Sequence, residues 1–251
     1  MQKSELNSYL ENRGIYVLNS KVSKEKSENT KKNIYKQIDN IVLFHNKIGM
    51  YKENLLPRIG ASIGKEVNTY YSQIILVSKY LEEIKNKSTL NSIDFYLINR
   101  GEVLINLGEK ALNHIYKNDF KGLINRSMMN YEVCLTRVDE GNLKVEDDGG
   151  IKVCTIRYLT YNLKEHDIYS YIKRIKRREI KLDIEDIIDY YIKISELESP
   201  SKEYLRALAS YPNEELRIIE KYILGKLQIE EIELLRSLYK ARDIDMNGII
   251  I

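Results

Sequence analysis

The sequence contains no tryptophan, three prolines and two cysteines in 251 residues. Proline stands only at positions 57, 200 and 212. Proline removes a backbone donor and clashes with the preceding turn, so its scarcity leaves room for long uninterrupted helices. Cys134 and Cys154 cannot build a disulfide framework and suit a reducing compartment. No apolar run approaches the roughly 20 residues that a membrane-spanning helix needs. The opening stretch, MQKSELNSYLENRG, has charges and amides where a secretory signal needs an apolar core, so cytoplasmic synthesis without export is expected. Net charge is lacking too. Forty basic side chains against 37 acidic ones leave +3, which gives no global pull toward nucleic acid or an anionic membrane.

What is present is ordinary globular chemistry: 43% hydrophobic and 31% charged residues, enough for one large domain or two small ones. Twenty tyrosines against three phenylalanines are unusual. Several (Tyr70, Tyr80, Tyr96, Tyr116) recur within helical stripes, where they replace phenylalanine at the edge of the core. A short helix is expected over residues 4–12, stopped by Gly14, then a strand at IYVL, then a polar, charged linker over residues 20–33. Ile34, Ile38, Ile41, Phe44 and Ile48 recur at steps of four and three, which predicts a helix with one buried face. Ile63, Val67, Tyr70, Ile74, Val77, Leu81 and Ile84 predict another, pairing as a hairpin with a helix over residues 92–116. Residues 120–129 add a short one.

At residue 131 the pattern changes. YEVCL, NLKVE and IKVCTIRYL are short and rich in strand formers, and Asp147, Asp148, Gly149 and Gly150 join the last two as a hairpin turn. Helices resume near Asp167, start again at Pro200 and Pro212, break at Gly225, and end with residues 228–241. The chain therefore divides into an N-terminal segment (residues 1–33: short helix, strand, linker) and a helical body over residues 34–251. The fold class is mainly α with a small β-hairpin.

This order of elements resembles the large lobe of aminoglycoside-phosphotransferase-like kinases, and the motifs resemble the CotS family of spore coat proteins within that group. IVLFHNKIG (residues 41–49) is similar to the family's helix ending in a Phe-His pair, and Gly64 with Lys65 stands where the family has Gly-Lys-Trp. Ala209, Ser210, Tyr211 and Pro212 resemble its Tyr-Pro motif, and HDIYSYIKRI (residues 166–175) its Asp-Leu-Tyr helix. The resemblance implies the C-terminal lobe of a protein-kinase-like fold with the small lobe mostly missing.

It also locates the site. Where the family reads Ile-Cys-His-Gly-Asp and later Asn, this chain has Val133, Cys134, Leu135, Thr136, Arg137 and then Asn142. Arg137 stands where the proton-accepting aspartate belongs, and Leu135 where the histidine does. Thr155, Ile156 and Arg157 occupy the stretch where the family has a metal-binding Asp before Phe-Asp, leaving Asn142 as the sole retained metal ligand. A guanidinium cannot serve as a general base near neutral pH. A threonine hydroxyl does not replace a carboxylate on Mg²⁺. Residues before 34 offer one strand and no glycine-rich loop. The expectation is a protein that is not an enzyme, binds neither ATP nor any other cofactor, holds no metal, and acts as a pseudokinase-like structural or interaction component among spore coat proteins, made in the mother cell.

Two alternatives stand beside it. One is an atypical phosphotransferase whose rearranged site draws a carboxylate from Glu132, Asp139, Asp147 or Asp148. The other is a nucleic-acid-binding helical protein acting through residues 172–181, which carry six basic side chains in ten positions. The plainer expectation for that run is a solvated face, with Ile172, Ile175 and Ile180 turned inward. The resemblance makes Asp167 a buried brace of the catalytic loop. Arg137 and Arg157 are either a phosphate cradle or surface charges, and Asn142 either a ligand or a turn cap after Gly141. His45, His114 and His166 lack metal-ligand spacing, and Cys134 and Cys154 are expected to be buried apolar residues, with an oxidative pairing as the alternative.

Overall fold

A computed structural model describes residues 4–18 and 30–246. The chain begins with α1 (Glu5–Glu11) and β1 (Ile15–Val17), followed by α2 (Lys31–Ile48), β2 (Gly60–Ala61), α3 (Lys65–Lys85), α4 (Ser92–Lys117) and α5 (Phe120–Met129). Four short strands come next: β3 (Val133–Cys134), β4 (Leu143–Val145), β5 (Ile151–Val153) and β6 (Thr160–Tyr161). The remainder is helical, with α6 (Glu165–Arg177), α7 (Ile184–Ile194), α8 (Ser199–Ser210), α9 (Asn213–Ile223) and α10 (Glu231–Met246). The linker expected over residues 20–33 lies outside the described residues up to position 29. Its last residues are already helix, because the Thr30 side chain accepts from the Asn33 amide and starts α2 three residues before the first apolar position. Among the described residues no helix is long and apolar enough to cross a membrane.

The chain forms two compact units: Met1–Gly64 with Asp119–Leu205, and Lys65–Asn118 with Arg206–Ile251. In the first, β4 and β5 make the expected antiparallel hairpin, with Leu143 opposite Val153 and Val145 opposite Ile151. Gly149 sits in the turn at φ +80°, a conformation that costs glycine nothing and side-chain-bearing residues strain, and Gly150 follows it with its amide on Asp148. β1 adds itself to this hairpin in parallel, pairing Ile15 with Ile151 and Val17 with Val153. Ile15, Leu143, Ile151 and Val153 are fully buried there. A second sheet, ordered β2-β6-β3, joins three two-residue strands. The inward stripe of α2 (Ile34, Ile38, Ile41, Phe44, Ile48) is buried as its period predicts. So is Gln37, whose amide donates to the carbonyls of Val138 (2.7 Å) and Leu143 (3.1 Å) and fixes the loop between β3 and β4.

In the second unit α3 packs on α4 and on α9, and α9 starts directly after Pro212, as the sequence suggests. The rings of Tyr70 and Tyr211 stack with centroids 3.7 Å apart. A Cβ at Gly108 of α4 would lie 2.8 Å from Ile74 Cδ1 and 3.3 Å from the Tyr211 ring. The glycine therefore marks a close approach of packed side chains. Gly108→Val should cost about 1–3 kcal/mol by overpacking, measured as a fall in the urea midpoint at unchanged slope.

Candidate functional site

β3 feeds the loop over residues 135–142, and a buried carboxylate holds the first turn of that loop. Asp167, on the first turn of α6 and wholly buried, accepts from the amides of Leu135 (2.9 Å) and Thr136 (2.7 Å). His45 of α2 places Nε2 2.9 Å from the same carboxylate. Thr136 has φ +67°, an uncommon conformation for a β-branched residue. Such strain is of order 1–3 kcal/mol, and here three contacts hold it: Thr136 bonds Asp167 through its amide and Tyr158 O through Oγ1 at 3.0 Å, while the Leu135 amide is anchored just before it.

Asn142 is buried and its amide is fully used within the loop. Nδ2 donates to the carbonyls of Arg137 (2.6 Å) and Thr155 (3.2 Å), and Oδ1 accepts from the Thr155 amide (2.9 Å). The residue thus ties the loop to the segment after β5. Thr155 Oγ1 in turn accepts from the Arg157 amide at 3.2 Å, and the Arg157 side chain is exposed beside Tyr158. An inward-turned amide, a hydroxyl and a guanidinium do not make the carboxylate-bearing donor set that Mg²⁺ takes, so the ion the resemblance implies does not fit at these positions. His45, Cys134 and Asp167 bring their ligand atoms within 4.8 Å of one another. Yet the Cys134 thiol lies 3.0 Å from Leu163 O, burial pushes its pKa well up, and Asp167 is already engaged by two amides and His45. His166 bonds Tyr204 Oη at 2.8 Å, and His114 is half-buried on α4. Cys134 and Cys154 are both buried thiols outside any disulfide, one on β3 and the other just after β5.

The four candidate acids separate. Glu132 is bound by Arg126 at 2.9 Å. Asp147 and Asp148 line a 300 Å³ hollow at the hairpin tip with Tyr16, Glu146, Gly150 and Lys152. Asp139, by contrast, lies beneath a 570 Å³ cavity at the loop, lined by Thr136, Arg137, Val138, Asp139, Ser170, Tyr171, Lys173, Arg174, Arg177 and Arg178. It is 5% exposed, with Oδ2 3.5 Å from Arg137 Nε, and Oδ1 3.3 Å from Arg174 Nη2 and 3.0 Å from the Gly141 amide. Next to it Glu140 accepts from Tyr171 Oη (2.6 Å) and from both Nη atoms of Arg178 (3.3 Å each). Burial pushes the Tyr171 hydroxyl far above its usual pKa, so it remains a donor.

The basic run is therefore not a plain solvated face. α6 ends at Arg177, Lys176 is buried, and Lys173, Arg174, Arg177 and Arg178 line the cavity together with Arg137. The signal was in the sequence as spacing: positions 170, 173, 174 and 177 share one side of a helix. Nothing local announced that Asp139 would meet it.

No family model matches the sequence, and no curated protein is significantly similar to it. The fold is similar to the crystal structure of an aminoglycoside phosphotransferase from Alicyclobacillus acidocaldarius subsp. acidocaldarius DSM 446, with TM-score 0.69 at 9% identity. The match spans 86% of this chain and 63% of that one, less than two thirds of its length. The chain thus has an aminoglycoside-phosphotransferase-like, kinase-like fold, mainly helical with small mixed sheets. This corrects the expectation that it is not an enzyme. The solved structure that it resembles is that of an enzyme, and a threonine at 155 and an arginine at 137 do not by themselves show that catalysis is absent.

Proposed function

We propose that this chain is an atypical phosphotransferase whose working charges have moved from the usual carboxylate seats to the basic cavity at the loop. One observation carries this: five cationic side chains surround that cavity, with the buried carboxylate of Asp139 on its wall. Phosphoryl transfer passes through a loose transition state, so catalysis rests on positioning and on stabilising charge at the oxygens in flight. Guanidinium forks supply that stabilisation directly. The acceptor hydroxyl oxygen bonds to phosphorus, and the bond from phosphorus to the leaving oxygen breaks and takes its electron pair with it. The hydroxyl proton passes to Asp139 Oδ2, which lies 3.5 Å from Arg137 Nε. The motif resemblance to the CotS group supports placing the protein in the mother cell and the spore coat, with coat proteins as partners. A fluorescent fusion that stays diffuse and never reaches the forespore would count against that placement.

The test is phosphate release or transfer from ATP, with and without Mg²⁺. The purified protein should turn over, and Asp139→Asn should lower the rate by about 10²–10⁴ with little change in melting temperature. An undiminished rate in that variant, or no turnover and no calorimetric heat at millimolar nucleotide, would remove the proposal.

A further inference from the structure

The chemistry of the cavity also narrows what it accepts. Asp139 faces Arg137 and Arg174, and Glu140 faces Arg178, so two carboxylates lie against three guanidinium groups. Lys173 and Arg177 add further positive charge to the lining. Each guanidinium carries five N–H donors. Arg137 directs Nε, and Arg174 one Nη, at Asp139, a small part of what each fork can donate. The side chains of Arg137, Arg174 and Arg178 are 51%, 42% and 29% exposed, open enough to meet a ligand and already oriented by the acids behind them. Preorganisation of this kind lowers the cost of binding.

Size and lining restrict the class further. At 570 Å³ the cavity is of small-molecule dimensions and larger than one orthophosphate requires. Its neutral lining is Thr136, Val138, Ser170 and Tyr171. The one aromatic ring, Tyr171, is 1% exposed and its hydroxyl is committed to Glu140, so no ring face is offered for a nucleobase to stack on. A polycation such as an aminoglycoside would meet five like charges against the one carboxylate of the lining, Asp139.

We infer that the molecule accepted at this cavity is a compact polyol carrying two or more phosphate groups, held by Arg137, Arg174 and Arg178 with Lys173 and Arg177. The inference rests on the proposed phosphotransferase site and names its acceptor class. In the transfer step that molecule supplies the attacking hydroxyl, and the cations grip its resident phosphates as well as the phosphoryl group in flight.

Inorganic tripolyphosphate is the probe, titrated calorimetrically into the full chain at low and moderate salt. Saturable binding is expected, weakening as salt screens the cations. Arg174→Gln and Arg178→Gln should each weaken it about 10-fold or more, as loss of a hydrogen bond to a charged group implies. Because both also release a carboxylate partner, Lys173→Gln and Arg177→Gln are measured beside them, with melting temperatures for all four. Binding unchanged in all four, or a polycationic aminoglycoside binding as tightly as tripolyphosphate, overturns the inference. Single-stranded RNA competing better than tripolyphosphate does so too. Tripolyphosphate bound without any turnover would leave the anion site standing and remove the transferase reading. Turnover of ATP without tripolyphosphate binding would do the reverse.

Discussion

Replacing Arg126 by alanine is expected to destabilise the protein by about 3–5 kcal/mol, because it strands a buried charge. Arg126 leaves α5 and holds four acceptors: both oxygens of Glu132 (2.9 and 3.1 Å), Glu165 Oε2 (2.8 Å) and Ser201 Oγ (2.8 Å). Glu165 is wholly buried at the start of α6. Burial pushes its pKa up, but the Arg126 guanidinium beside it more than offsets this and holds the carboxyl below its usual value. A depressed folded pKa means that the contribution is present above the unfolded value and is lost as pH falls through the folded one. In the alanine variant burial is opposed only by the Ser201 hydroxyl and a backbone amide, so Glu165 protonates at higher pH and the deficit against wild type shrinks on acidification. Urea unfolding at pH 7 and near pH 4 separates the two cases. Glu165→Gln added to the alanine variant should recover part of the loss at pH 7, as a coupled pair requires. A deficit below about 1 kcal/mol, the range of exposed pairs, would show the pair to be worth no more than a surface one.

The elements legible in the sequence are those whose signal is periodic or whose turn chemistry is specific. α2, α3 and α4 each carry a stripe long enough to fix type and inward face, and the two glycines after Asp148 mark the hairpin. β2, β3 and β6 are two residues long, and no period can be read from two positions. β1 can be recognised as a strand but not placed, because the same three residues suit any neighbour. Its parallel pairing with β5 spans more than a hundred positions of sequence. The end of α6 is obscured for another reason. No glycine or proline stops it; Glu179 takes the left-handed conformation at φ +55°, and Ile180 falls off the stripe it was expected to continue.

The site divides along the same line. Under the motif resemblance, Leu135, Arg137, Thr155 and Arg157 are readable by position as exchanges of catalytic and metal-binding residues. Weighed one seat at a time, those exchanges point away from an enzyme. Charge in a cleft is collective, however, and its members come together only in the fold. Asp139 and Arg174 meet at 3.3 Å from 35 positions apart, and neither residue carries a motif that predicts the other.

The second large effect concerns Asp167. Asp167→Ala leaves the buried Leu135 amide, the part-buried Thr136 amide and His45 without their acceptor. At about 1–3 kcal/mol for each unsatisfied buried group, the loss should be comparable to that at Arg126. Asp167→Asn should rescue it poorly. Its NH₂ would face one of the two amides that Leu135 and Thr136 point at the carboxylate, donor against donor. The consequence reaches the cavity through Thr136, whose left-handed backbone lasts only while its surroundings impose it. Without the brace the residue relaxes to negative φ, Arg137 next to it turns away from Asp139, and tripolyphosphate binding falls in the molecules that remain folded. Hydrogen exchange reads this directly. The amides of Leu135 and Thr136 should lose protection in either variant while Ile151 and Val153 on β5 keep theirs. Thr136→Gly placed in the Asp167→Ala background should restore little phosphate binding, because glycine tolerates the left-handed turn without enforcing it. Protection at 135 and 136 that survives Asp167→Ala would mean that the loop holds its own shape, and the carboxylate would then be a passenger rather than the brace.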